Sequence, residues 1–468
     1  MSKRTGIQPM VRVAFGQPSV VAVSSPAEKR WGHYQFPGIA RLDDGRLAVN
    51  YSVQADSAMS YGQSHPTRIS SDGGKTWREA QPGELDASTA GGIIFPDGEA
   101  IKFPVQKPLD AAKLNLPKFS VALTDLWSRK SDCYRLGDLP EDLQRVRLLR
   151  RKPGETQWRE EWARIAIPEM VVCVMRWEWS DIGFSDPNIL TQPRICTDFF
   201  WTFTPDGGLL TFFHDVFCFN PDGSLPARCR VGVLRSDDRG RTWRLWSMLG
   251  YFPDAAAEQA ATQPFLDDPN SNYNRLWGGK DAAPIPDFNV FGLNEPGAMS
   301  FGDGRMLCVM RTSSGGTHEP MFIARSTDWG KTWTSPEILT PFGVVPRMAH
   351  LDNGVIALVY GRPGVQLLFC TDGKGVTWHT PMTLLPEPGE KTRATVGRRK
   401  EITTDRQAGH DDTCGNCTVL KTGPDRFLVA YSDFRHVNAA GQTCKAIKVQ
   451  EVTVTSAGAE NKSMQDTF

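Results

Sequence analysis

Ser70-Ser71-Asp72-Gly73-Gly74-Lys75-Thr76-Trp77 reads Ser-x-Asp-x-Gly-x-Thr-Trp, and the same spelling returns at 236–243 and 326–333. A looser copy over 370–378 carries one extra residue, and Gly154-Glu155-Thr156-Gln157-Trp158 is a weaker echo. Each part has a job in a tight hairpin. The Asp carboxylate can accept backbone N–H groups within the turn, and Gly supplies positive φ. Thr and Trp re-enter a strand, and the Trp offers a large apolar face to wedge between neighbouring sheets. Such turns are structural staples, and no chemistry is expected of them.

A second repeat lies upstream of the turns. A proline opens a short apolar run that ends in Asp-Gly or Asn-Gly over 37–45, 296–304 and 346–354. Asp97-Gly98 and Asp206-Gly207 mark two more such hairpins, and Pro424-Asp425 a worn sixth. These dipeptides between apolar runs are strong hairpin signals. Short repeats that cannot bury their faces alone point to a propeller or solenoid. The expected fold is all-β, a six-bladed β-propeller of four-stranded antiparallel sheets in a single domain over 1–456. Its blades fall near 27–85, 86–170, 190–250, 288–338, 339–386 and 410–456, and a strand around 11–23 closes the ring. Residues 457–468 read as a flexible tail and 391–406 as a basic surface loop. A charged insertion is expected around 139–151. That insertion and the polar excursion over 251–287 are expected to wall one side of a pocket.

Composition removes several function classes. The 468 residues hold 53 basic and 53 acidic side chains, so no net charge recommends nucleic acid or a membrane as partner. The first ten residues lack an apolar leader and no later run is long enough to span a bilayer, which suggests a cytoplasmic protein. Ten scattered cysteines suit a reduced compartment. Cys414 and Cys417, with His410 nearby, fall short of a metal-ligand set, so neither metal nor cofactor is expected. There is no phosphate loop or dinucleotide fingerprint. The oligomeric state stays open.

With these repeats laid out, the chain resembles the sialidase superfamily, proteins of Asp-box (BNR) repeats on a six-bladed β-propeller, over nearly its whole length. The resemblance implies a site in which three arginines hold a sugar carboxylate, a Glu activates a Tyr nucleophile, and an Asp is the acid/base. Glu295 in Asn294-Glu295-Pro296 and Arg311 in Met310-Arg311-Thr312 match that pattern, Arg362 resembles the third arginine, and Asp56 occupies the acid/base neighbourhood. Two positions depart from it. The first-arginine motif reads Tyr34-Gln35-Phe36-Pro37, and the nucleophile motif reads Cys417-Thr418-Val419-Leu420.

The repeat register points to a site without the family. Counting nine residues back from each hairpin Gly (or Asp425) gives Phe36, Thr89, Asp198, Glu295, Val345 and Asn416. Counting seven forward gives Ser52, Val105, His214, Arg311, Gly361 and Ser432. Antiparallel pairing puts both sets at one face. Asp198, Glu295, His214, Arg311 and Asn416, with the adjacent Asp215 and Arg362, are expected to share one mouth, and His33 to join them. The plain alternatives are solvent-exposed strand caps and a structural Arg–Glu bridge.

The leading expectation is an exo-glycoside hydrolase for a terminal acidic or polar sugar of a glycan. Its catalytic candidates are Glu295, Asp56, Asp198 and His214. Arg311, Arg362, His33, Gln35, Asp215 and Asn416 are the substrate-binding candidates. A uronate lyase using His33, His214 or a Tyr as base, and a non-catalytic glycan-binding propeller, are the alternatives.

Overall fold

In the computed structural model the repeated turns close on their own aspartates. Ser70 Oγ donates to Asp72 Oδ1 at 2.7 Å, and the Gly74 amide donates to Ser70 Oγ at 2.8 Å. The Lys75 and Thr76 amides each donate to Asp72 Oδ1 at 3.0 Å. Asp238 and Asp328 accept the Thr242 and Thr332 amides in the same way, at 2.7 and 2.8 Å. In the looser copy Cys370 stands in the Ser place, and Asp372 still gathers the amides of Lys374, Gly375, Val376 and Thr377.

Hydrogen bonds to a carboxylate favour its charged form. At Asp72 the Thr76 hydroxyl and amide hold the carboxyl far below its usual range. At Asp238, Asp328 and Asp372 burial pushes upward, and the bonds of the turn outweigh it. A carboxyl whose pKa is depressed on folding adds stability above its unfolded value of about 4 and loses it as the pH falls toward the folded value. Stability is therefore expected to drop below about pH 4, and Asp328→Asn to flatten that drop. Urea midpoints followed from neutral to acid pH check this.

The structure describes residues 11–56, 60, 62–124, 130–179, 184–190, 195, 200–215, 218–277, 292–312, 320–379, 381–386 and 412–456. They are all-β apart from short helices, arranged mainly in antiparallel groups, five of them four-stranded. Group one is His33–Arg41, Leu47–Val53, Thr67–Ser70 and Arg78–Glu79. Group two (Ile93–Ile94, Ala100–Lys102, Arg145–Arg151, Arg159–Ile165) and group three (Trp201–Phe203, Leu209–Asp215, Arg230–Ser236, Thr242–Met248) are fused into one eight-stranded sheet. The seam between them is a parallel pairing of Arg164 with Thr242 and Ile165 with Trp243. Group four is Asn294–Ser300, Met306–Arg311, Met321–Ser326 and Glu337–Thr340, and group five is Val344–His350, Ile356–Gly361, Val365–Cys370 and Met382–Leu385. In group six, Cys417–Lys421, Arg426–Val437 and Thr443–Ser456 are joined by Val11–Phe15 and Ser19–Val23, which cover the outer edge of Thr443–Ser456.

The core lies between successive groups. Leu42 and Ile69 of group one meet Leu85 and Ala90 of the segment that leads away from it, and Ile101 and Leu148 of group two meet Leu209 and Trp243 of group three. Phe212 packs with Met306 and Phe322, Leu307 and Ile323 with Leu358 and Leu368, and Val359 and Phe369 with Val429 and Val452. Val49 and Tyr51 of group one meet Ala430 and Val449 of group six. Strands sealed on both sides, such as Ile356–Gly361 and Val365–Cys370, consequently read as unbroken apolar runs.

Two expectations need correcting. The insertion expected over 139–151 is largely the strand Arg145–Arg151, third in group two. Its inward positions are Val146, Leu148 and Arg150, the last buried on Glu99 and Glu161, so the period-two pattern is hidden by a buried arginine. The true addition is a five-stranded sheet of Leu109–Asp110, Val121–Thr124, Lys130–Arg135, Val171–Trp179 and Phe184–Leu190. The described part of the excursion over 251–287 is helical: α1 (Ala255–Asp267), capped by Asp254, and α2 (Asn272–Trp277). Asn272 bonds Glu337 and the Val376 carbonyl, and Trp277 donates to the Leu339 carbonyl. The helices thus cover an outer strand and the turn at 370–378, and the pocket that α1 walls is a cleft against Trp333, lined by neither Glu295 nor Arg311. The alanines at 255–257 are strong helix formers that the surrounding Asn and Pro obscured. Residues 278–291 and 391–406 lie outside the described residues. Among the described residues no helix is long and apolar enough to cross a membrane.

Candidate active site

The mouth is built by one distortion repeated in three groups. Phe36, Glu295 and Val345 each precede a proline, and each has positive φ, at 54°, 33° and 48°. In each case the strand slips register there, between Gln35 and Gly38, Asn294 and Gly297, and Val344 and Arg347. Positive φ is costly for residues other than glycine, above all for β-branched Val345. Bulges of this kind re-aim side chains at strand ends. The residues facing each other across the first two strands are equivalent: Gln35 with Ser52, Asn294 with Arg311, and Val344 with Gly361.

In group four this brings a carboxylate and a guanidinium together. Arg311 donates to Glu295 Oε1 at 2.6 Å, with the side chains 13% and 30% exposed, while Arg311 Nε has no hydrogen-bond partner. In group five Arg362 follows Gly361 with φ 53° and is buried. Its Nε and one terminal nitrogen donate to the Cys414 carbonyl at 3.1 and 2.8 Å. Burial and then the Arg311 charge lower its pKa, with Glu295 and Asp56 opposing them.

Group one supplies the second carboxyl. Trp31 donates its indole N–H to Asp56 Oδ2 at 3.0 Å, and the Arg362 guanidinium lies 5.9 Å from the Trp31 ring. Asp56 has open accessible surface, yet protein surrounds it on most sides, as in a recess. That crowding raises its pKa above the usual carboxylate range. The Trp31 bond opposes the rise, the Glu295 charge adds to it, and Arg362 and Arg311 lower it. Asp56, Glu295, Arg311 and Arg362 therefore feel one another across a single space.

The rim segment carrying Trp31 is pinned from below. Gly32 has φ 89°, and a Cβ there would stand 2.2 Å from the Gln54 carbonyl oxygen and 2.6 Å from the Asp56 amide, so only glycine lets the two loops meet. Lys445, 7% exposed, donates to the Arg30 carbonyl at 2.5 Å and the His33 carbonyl at 3.4 Å, bracketing Trp31 and Gly32. Burial lowers its pKa to about 8. His33 Nδ1 lies 3.5 Å from Glu28 Oε2; burial lowers the ring's pKa and Glu28 opposes it. Glu28 is itself held at about 2, first by the side-chain bond from Arg30.

Gln35 is fully buried with neither amide atom bonded, out of a ligand's reach. Asn416 is half-buried just ahead of Cys417–Lys421. His214 and Asp215 end the strand Leu209–Asp215, at the place Arg311 holds in group four. The side chain of Asp215 and all of Asp198 lie outside the described residues. Cys417 is 1% exposed in the apolar layer between groups five and six, and burial pushes its thiol to about 12, which removes it as a nucleophile. Two clefts elsewhere, of about 320 and 430 Å³, line up Glu169 with Arg230 and Arg244, and α1 with Trp333. Neither holds a pair of carboxyls.

Sequence reasoning missed the Trp31–Asp56 bond, the Cys414 carbonyl under Arg362 and the Lys445 strut. Only the aromatic, His-bearing spelling of Trp31-Gly32-His33-Tyr34 hinted at the first.

No family model matches the chain, and no curated protein matches it in sequence. Solved structures do match. A Dyadobacter fermentans protein of unknown function aligns at 17% identity over 95% of this chain and 99% of its own, with a TM-score of 0.49. A Penicillium chrysogenum α-L-arabinanase complexed with arabinobiose aligns at 12% identity over 95% and 99%, with a TM-score of 0.44. A Streptococcus pneumoniae sialidase mutant aligns at 12% identity over 94% of this chain and 71% of its own, with a TM-score of 0.41. At these values none of them carries a residue role or an activity to this chain.

Proposed function

We propose that this chain is a glycoside hydrolase that removes a terminal acidic or polar sugar from a glycan at the mouth formed by Asp56, Glu295, Arg311 and Arg362. One observation carries the reading: Asp56 presents a solvent-accessible carboxyl whose pKa is raised, first by burial and further by the charge of Glu295, while Glu295 itself is paired with Arg311. Two carboxyl groups driven apart by their surroundings make an acid and a base. Asp56 gives its proton to the departing glycosidic oxygen, and Glu295 acts from the other side of the sugar by activating water. The N–H groups that Arg362 and Arg311 have left hold the sugar's acidic or polar substituent. Trp31 orients Asp56 and offers an aromatic face to the ring.

The same reading takes the groups as six blades of one propeller domain over 1–456. It is supported by core contacts that run in turn from group two to group six and return from the sixth to the first. A uronate lyase is the second reading, favoured by His33, whose burial biases the ring toward its neutral, basic form.

Product analysis by mass spectrometry on acidic and neutral oligosaccharides, with wild type beside Arg311→Ala and Glu295→Gln, tests the proposal. The expected result is a released monosaccharide whose rate of release falls steeply in both variants. A product lighter by one water establishes a lyase, and binding without turnover establishes a glycan-binding protein.

A further inference from the structure

Cys133 and Cys173 stand directly opposite each other on the neighbouring antiparallel strands Lys130–Arg135 and Val171–Trp179 of the added sheet. Their sulfurs are 3.4 Å apart, close to van der Waals contact. Opposed residues of an antiparallel pair have Cα separations of about 4.5–5.5 Å, inside the window of about 4.4–6.8 Å that a disulfide spans. Side-chain rotation alone can close the remaining gap, with the strands in place. The two thiols also differ in access. Cys173 is partly exposed, whereas Cys133 is sealed from solvent.

We propose that Cys133 and Cys173 are a redox-modification site at which a small-molecule disulfide of the glutathione class installs a cross-strand disulfide. The accessible Cys173, as thiolate, attacks one sulfur of the external disulfide, forms a mixed disulfide and expels one thiolate. Cys133, once deprotonated, attacks the Cys173 sulfur and expels the second. The protein loses two thiol protons and two electrons, and the external disulfide is reduced to two thiols.

The consequence follows from chain order. The residues are 40 apart, and the chain between them contains Arg145–Arg151 and Arg159–Ile165, the outer half of group two. The second of these strands makes the parallel seam with group three. A bond between Cys133 and Cys173 closes a loop around that half and removes freedom from the unfolded chain. It leaves the mouth untouched, so the inference stands apart from the proposed activity.

The test equilibrates the folded, reduced full-length chain in glutathione buffers of rising oxidised fraction, then alkylates, digests and weighs the peptides without reduction. The expected result is one linked pair, Cys133 with Cys173, lighter by two hydrogens. The thermal midpoint should rise by a few degrees on oxidation, and this rise should be absent from Cys133→Ser/Cys173→Ser. The idea is overturned if both cysteines are alkylated throughout, if Cys173 stops at a glutathione adduct, or if another pair links first. The wild-type masses decide the matter even if the serine variant folds poorly.

Discussion

Asp56→Asn lowers kcat/KM on the cleaved glycan by about 10²–10⁴-fold, the usual contribution of a positioned general acid, while the thermal midpoint stays near that of wild type. The amide keeps the bond from Trp31 and the shape of the recess but has no proton to give. The pH profile makes the assignment sharper. A general acid works only while protonated, and the pKa of Asp56 is raised by burial, opposed by the Trp31 bond, and raised again by the Glu295 charge. Activity therefore persists to higher pH than an ordinary Asp would allow, and falls as the pH rises through that raised value. Arg311→Ala removes a cation that lowers this pKa and frees the Glu295 charge that raises it, so the falling limb moves to higher pH. A glycoside whose leaving group needs no protonation, such as a nitrophenyl sugar, should recover much of the Asp56→Asn loss and little of a Glu295→Gln loss. Equal losses on both substrates would take the acid role away from Asp56.

The repeated turns were legible because each carries its chemistry within eight or nine residues: an acceptor, the glycines and the wedge are all local. The register was legible for a related reason. Proline and the Asp-Gly turn bracket one hairpin, so Glu295 and Arg311 could be counted to the same end of it, where they bond, although the bulge sets Asn294 directly opposite Arg311. What failed was everything non-local or unrepeated. The Trp31–Asp56 bond depends on the left-handed Gly32 letting two loops touch, and nothing near Asp56 announces it. Arg145–Arg151 looked like part of a charged insertion because its buried arginine is matched by Glu99 and Glu161 from other strands. The added sheet has no repeat to betray it. Gln35 stands where the resemblance implies an arginine, and its sealed amide could not be foreseen from the spelling of that motif.

Trp243→Ala is expected to cost about 3–5 kcal/mol, as large-to-small changes at sealed aromatics do, with activity of the folded fraction unchanged. Trp243 is 0% exposed and lies on the seam of the eight-stranded sheet. Its ring meets Phe103 edge-on at 5.8 Å, its indole N–H donates to the Gly240 carbonyl at 3.0 Å, and its own carbonyl accepts the Ala166 amide at 2.7 Å. Alanine leaves the backbone bonds but opens a void between groups two and three and strips Gly240 of its indole donor. Trp243→Phe refills most of the void and leaves that donor missing, so it should cost less, about 1–3 kcal/mol. Thermal midpoints at one scan rate, with kcat measured well below them, separate the two quantities. A destabilised but fully active Trp243→Ala beside a stable but inactive Asp56→Asn would divide the chain's repeated chemistry from its single site. If Trp243→Ala instead lost kcat at unchanged stability, the turns would have to be read as part of the site, since a wedge that only joins sheets has no route to the mouth except through the fold.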